Sequence, residues 1–237
     1  MFQLNDKTVI LTGATGNLGQ VTAQICAAQG ARLALVGRDT SRLADLKQTL
    51  AAGCDADIFA VNVLNMTAVT AMMAQIAARF GRIDALVNLA GGFRMGPLVH
   101  ETPDADWDAM LALNLHTVIN CVRATVPHLL TAGGGRIVNI AARAATQGSA
   151  QMAPYCVSKA AVVTLTESLA AELKPHHITV NCLLPGTLDT PENRAAMPDQ
   201  DHRNWVALDA LAEVIVFLVS DAARAITGAA IPVYGRS

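Results

Sequence analysis

Residues 8–24 read TVILTGATGNLGQVTAQ. A short β-branched, apolar run leads straight into a glycine-rich turn. An Ala/Val/Gln stretch with helical character follows. Strand, tight turn and helix in that order open a βαβ unit. Gly13 permits the sharp turn, while Gly16 and Gly19 let the backbone approach a ligand and let the helix pack on the strand. Asn17 can cap the helix or take an unusual backbone angle. The free N–H groups and the helix dipole at this end favour a pyrophosphate. A glycine triplet alone also fits a plain tight turn. After the first strand of a βαβ chain it points to a dinucleotide, with Gly13, Thr15, Gly16, Asn17, Leu18 and Gly19 as the candidate contacts.

Outward from this turn, short apolar runs alternate with Ala-rich stretches. The strand candidates are 8–11, 32–36, 57–61, 84–88, 136–140, 178–183 and 229–234. Most are apolar throughout, which suits strands covered on both faces. Helical stretches are expected at 18–29, 41–52, 66–80, 104–130, 155–173 and 209–220. This order implies an α/β fold, a doubly wound parallel sheet of about seven strands, as one domain over 1–237. Segment 185–206, rich in Pro, Asp and Asn, reads as a long functional excursion.

The bulk numbers are compatible. Apolar residues are 52% of 237 and charged residues 15%, enough for a large core, and aromatics are only 4%. A net charge of -2 argues against nucleic acid or an anionic membrane as main partner. Five cysteines without a CxxC pair read as reduced thiols of a cytoplasmic protein. The N-terminus lacks the pattern of a signal peptide, and VIVFLV near the end is too short to cross a bilayer.

The second strand ends LALVGRD, with Gly37 at its tip and Arg38 next. A guanidinium there can pair with a 2′-phosphate that a carboxylate would repel, which favours NADP(H) over NAD(H). The plainer alternative is a solvated Arg38, with Asp39 capping the next helix. Asn62, beside Val63, is placed to bond an adenine or to make an ordinary strand-end turn.

Taken together, the chain resembles the short-chain dehydrogenases/reductases over its full length. TGATGNLG is similar to their cofactor turn, with the glycine spacing of the extended branch. The remainder is like the non-extended branch. NLAGG (88–92) is similar to their N-N-A-G element, with Leu89 in place of the second Asn. LALNLHT contains Asn114, YCVSK contains Tyr155 and Lys159, and PGTLDT (185–190) resembles the segment beside the nicotinamide. The resemblance implies a Rossmann-like fold and an NAD(P)-dependent hydride transfer to a small organic molecule. It implies cofactor contacts at Asn88, Ala90, Gly91, Pro185, Gly186, Leu188 and Thr190, besides Tyr155 and Lys159. It also implies a dimer or tetramer through the helices at 104–130 and 155–173.

The residues support the implied chemistry. Tyr155 and Lys159, at i and i+4, share one helix face. A nearby ammonium is expected to lower a phenol pKa from about 10. The resemblance gives Lys159 the nicotinamide ribose as well, and Asn114 a water that links it to solvent. Singly, each has a plain reading: a packing tyrosine, a surface lysine, a helix kink.

One expected group is missing. The family places a serine where this chain has Ala142, and losing one oxyanion donor typically costs about 10²–10³ in rate. Thr146, Gln147 or Ser149 can substitute, the protein can be a non-catalytic NADP(H)-binding sensor, or the substrate can carry its own activation. The quinonoid dihydropteridine reductases of the same superfamily also use Tyr and Lys without the serine. Their loop is similar to TLDTPENRAAMP with Trp205 beyond. An electron-poor C=N system needs a proton more than an oxyanion clamp. Met197 and Trp205 can line an apolar pocket or simply pack a lid. Arg143 and Arg194 can meet an anion or stay solvated. His176 and His177 read as a surface turn, and no metal site is expected.

Overall fold

The strand that precedes the glycine turn, β1 (Thr8–Thr12), is buried at every residue. It lies in the middle of a seven-stranded sheet, in the computed structural model that describes residues 2–236. The other strands are β2 (Arg32–Gly37), β3 (Ala56–Ala60), β4 (Ala85–Asn88), β5 (Gly135–Ile140), β6 (Ile178–Pro185) and β7 (Ala230–Val233). All pairings are parallel, in the order β3-β2-β1-β4-β5-β6-β7. Parallel neighbours need crossovers, and helices supply them: α1 (Asn17–Ala28), α2 (Thr40–Gln48), α3 (Met66–Phe80), α4 (Asp104–Leu111), α5 (Thr117–Thr131), α6 (Ala153–Leu173), α7 (Pro191–Ala196) and α8 (Leu208–Val219).

Side chains alternate across the pleat, so each strand feeds two cores. Val9 and Leu11 pack with Ala23 and Cys26 of α1 and with Leu211 and Ile215 of α8. Ile10 faces the other way, among Met72 and Ile76 of α3, Val118 of α5 and Val162 of α6. That is the physical content of the all-apolar strands. Because β1 sits between β2 and β4, the chain leaves it toward one edge and later returns on its other side. The crevice at the C-terminal ends of β1 and β4 is therefore the switch point where ligands bind in such sheets.

Element bounds agree with the sequence reading to within a few residues, with two departures. The expected helix at 104–130 is interrupted by a π-helical turn at Ala112–His116. The excursion 185–206 contains α7 and a 3₁₀ turn at His202–Asn204. The helical run Asp104–Thr131 is long and apolar enough to span a membrane by length and composition. In this fold 44% of its most apolar window is buried inside the protein.

Candidate active site

The glycine turn is held by contacts only glycine allows. Gly13 has φ +65°, and a Cβ there would lie 2.8 Å from Ala90 N, so the turn touches the exit of β4 directly. Thr12 secures that approach, its Oγ1 accepting from Leu89 N at 3.2 Å and Ala90 N at 3.3 Å. A Cβ on Gly19 would collide with the carbonyls of Gly13 and Ala14. The N-cap of α1 is Gly16, without a side-chain cap, so the first N–H groups of the helix face the crevice. Asn17 is thus the first helical residue. It neither caps the helix nor takes a positive φ. Its Nδ2 donates to Glu192 Oε2 of α7 at 2.7 Å, tying the excursion to the turn.

At the tip of β2, Arg38 is exposed and Asp39 caps α2, accepting from Ser41 N at 3.0 Å and Arg42 N at 3.1 Å. The local carboxylate is thereby engaged. Arg42 was not legible as a site residue. It reaches back to donate to Thr15 O at 2.9 Å, so two guanidinium groups flank this edge of the crevice. The only signal for it is a second arginine in the first turn of the helix that follows the β2 tip. Asn62 makes the strand-end turn, its Oδ1 accepting from Leu64 N at 3.1 Å. Val63 O accepts from Asn120 Nδ2 at 3.1 Å. Leu18 packs against the core on the α1 side.

Asn88 stands at the C-terminal end of β4. It is buried between strands, donating to Asn139 Oδ1 at 2.9 Å, and Asn139 passes the chain to Thr166 Oγ1. Its own Oδ1 has no partner among the described residues. Ala90 and Gly91 lie at the crevice. A Cβ on Gly91 would come within 2.9 Å of Asn114 Oδ1 and 3.3 Å of Lys159 Nζ. Two of the expected residues, Asn114 and Lys159, therefore meet around a third, Gly91. Asn114, in the π turn, is 1% exposed. Its Oδ1 accepts from Gly92 N at 2.9 Å, and its Nδ2 donates to Ser158 Oγ at 3.1 Å. Ser158 in turn donates to Tyr155 O at 2.8 Å, so Asn114 braces the helix turn that carries the tyrosine. Ser158 was missed because a buried serine in an apolar helix carries no signal of its own.

Tyr155 is half-buried near the start of α6, its ring edge-on to Phe93 at 5.0 Å. Lys159 is buried and donates to Ile140 O at the end of β5, at 2.9 Å. The expected lowering of the phenol pKa is reversed in this structure. Burial, and next the adjacent Cys156 thiol, push Tyr155 up to about 12. Burial pushes Lys159 down to about 8. Burial is the leading cause of both shifts, and the Lys159 ammonium is directed to the Ile140 carbonyl.

Ala142 is buried beside β5, in extended conformation. Of the substitute donors, Thr146 Oγ1 is engaged locally by Arg143 O at 2.9 Å, and Gln147 and Ser149 are exposed. Past β6, Gly186 N donates to Val233 O and Leu188 bridges to Val206. Thr190 caps α7, and Pro185 closes β6. Arg194 is held in a two-pronged pair with Asp189, and Arg143 lies over the Tyr234 ring, 5.7 Å from its centre. Trp205 packs its ring on His202, which bonds Met197 O. The excursion is thus internally braced. No cluster of three or more His, Cys, Asp or Glu suited to a metal occurs among the described residues.

A parallel doubly wound sheet with a glycine turn at its switch point defines a nucleotide-binding oxidoreductase architecture. The family model described as short chain dehydrogenase matches residues 7–201. The chain belongs to that family and is an NAD(P)-dependent oxidoreductase. It is 36% identical to the D-threitol dehydrogenase of Mycolicibacterium smegmatis, covering 99% of this chain and 94% of the relative. It is 29% identical to the 3-oxoacyl-[acyl-carrier-protein] reductase FabG of Thermotoga maritima, covering 98% of each. Carveol dehydrogenase from Mycobacterium avium, solved with NAD, superposes with a TM-score of 0.90 at 26% identity, covering 99% of this chain and 98% of that one.

Proposed function

We propose that this chain reduces a small, planar organic acceptor with C=O or C=N character, using NADP(H) in preference to NAD(H). The observation that carries this reading is the convergence of Lys159 and Asn114 on Gly91, with Tyr155 one helical turn before Lys159 on α6. The crevice suits the cofactor. The open α1 N-terminus is fit for a pyrophosphate, and glycine contacts that a Cβ would fill admit a close ligand. Arg38 and Arg42 are fit for a 2′-phosphate. When bound, the reduced nicotinamide supplies the hydride.

The protein supplies a proton, a position and exclusion of water. Tyr155 is the acid. With its pKa near 12 the phenol keeps its proton at neutral pH, the form a donor needs. Lys159, still mostly ammonium at pH 7, is the ribose ligand and holds charge near the site. Asn114 fixes the Gly92 N–H and, through Ser158, the Tyr155 turn, with the water that the resemblance assigns it beside Lys159. Phe93 forms an aromatic wall against Tyr155, matched to a flat substrate.

Ala142 removes the usual clamp on a developing oxyanion. An electron-poor quinonoid C=N or quinone acceptor draws hydride without it, and the likeness of 187–198 to the quinonoid dihydropteridine reductases supports that choice. The named alcohol and polyol dehydrogenases among the relatives support the broader class, a small carbonyl or alcohol. The test is NADPH oxidation against quinones, diketones, imines and a freshly generated quinonoid dihydropterin. Turnover on at least one of them, reduced ~10²–10⁴-fold in Tyr155→Phe, is expected. Cofactor binding without turnover on any acceptor would replace this reading with a sensor.

A further inference from the structure

The glycine turn lies at the C-terminal end of β1. The opposite end of the strand, about 16 Å away along five residues, opens onto a separate cavity of about 480 Å³. Lys7, Arg82, Arg136, Lys174 and Arg224 line it, against only two acids, Asp84 and Asp221. Five cations less two anions leave an excess of three positive charges, on a chain whose net charge is -2.

The acids do not satisfy the cations. Asp84 is engaged twice, accepting from Thr8 N at 2.9 Å and from Arg82 Nε at 2.6 Å. Asp221 is exposed and shared between Lys7 at 3.1 Å and Arg136 at 3.4 Å. Arg136 is largely buried, and its Nε has no partner among the described residues. Burial lowers its pKa against only partial compensation from Asp221. Thr179, 6% exposed, also lines the cavity, but its Oγ1 is itself covered by protein and does not open onto it. Lys174 and Arg224 are exposed on the open side. Gly133, Gly134 and Gly135 form part of the wall without side chains.

We propose that this cavity is a second ligand site that binds a phosphate group, either as inorganic phosphate or on a small phosphorylated metabolite. A doubly charged tetrahedral oxyanion offers acceptors to several donors at once, matching the exposed Lys174 ammonium and the guanidinium groups beside it. It would offset the excess positive charge. The site shares no residue with the crevice, so it stands whether or not the hydride-transfer reading does.

The experiment is isothermal titration of the full chain with inorganic phosphate and with glycerol 3-phosphate. Ionic strength is held constant with potassium chloride, and each titration is run with and without NADPH. Saturable one-to-one binding, unchanged by NADPH, is expected. The double variant Lys174→Ala/Arg224→Ala, which changes only exposed side chains, should weaken it at least fivefold. Tighter binding of the ester identifies a metabolite as the source; equal binding identifies the free ion. Absence of saturable heat beyond the chloride control overturns the proposal. So does competition with NADPH, or binding that the double variant leaves intact.

Discussion

Lys159 is the residue whose environment has the clearest measurable consequence. Its pKa is about 8 in the folded chain against 10.5 for the free side chain. Below pH 8 both states hold the proton, and the fold carries the full cost of a buried ammonium. Between pH 8 and 10.5 the unfolded state binds more protons, so stability rises with pH. The shift corresponds to ~3 kcal/mol. Urea titrations across that window should show wild type gaining about this much relative to Lys159→Met. Cys26, Cys121 and Cys182, pushed up by burial, are common to both proteins and cancel. A flat difference would mean that the ammonium is better solvated than its burial indicates. Ala142 is the second informative residue. Ala142→Ser should raise kcat on simple ketones, by up to ~10²-fold if the hydroxyl reaches the oxyanion. It should leave the rate on an electron-poor C=N acceptor unchanged or lower. An equal gain on both would show that the acceptor is not self-activated. The Tyr155–Lys159 pair was legible because i and i+4 spacing needs only a helix. The sign of the phenol shift was not, because it depends first on how deeply the ring is buried, which only the packed fold decides.

Elements bring distant residues to the site. The junction of β2 and α2 presents Arg38 at the strand tip and Arg42 one helical turn on, with Asp39 engaged as the cap between them. Replacing both arginines by leucine should lower kcat/KM for NADPH about tenfold or more while changing that for NADH far less, since charge-assisted bonds to a phosphate would be lost. Equal losses with both cofactors would place the guanidinium groups elsewhere. The π turn at Ala112–His116 is the other decisive element. A uniform 3.6-residue period predicted an unbroken helix through 104–130. The widened turn changes the direction of the side chains and sets Asn114 inward on Gly92 N and Ser158. No residue-by-residue pattern announces such a turn. In the same way, α7 was read only as part of an excursion, and its link from Glu192 to Asn17 spans the crevice without any local signal.

At the scale of the whole molecule, the two long helices that the family uses for subunit contact leave Leu130 at 41% and Val157 at 48% exposure. Covering them with a second copy would remove apolar surface from water. Light scattering is expected to give a dimer or tetramer, and Val157→Glu with Leu130→Glu to shift it toward smaller species. A monomer in both cases would leave those side chains as ordinary surface. Strand count, parallel direction and the crevice at β1 and β4 followed from the linear order of apolar runs, helical stretches and glycine spacing, because local propensity and βαβ chirality leave few alternatives. What only the tertiary structure decided is the electrical state of the site and the contacts that brace it, the burial of Asn88, the link through Ser158 and the raised phenol, together with the cationic cavity at the far pole. Those depend on desolvation and on distances between residues far apart in the chain, quantities that exist only once the sheet is closed between its helices.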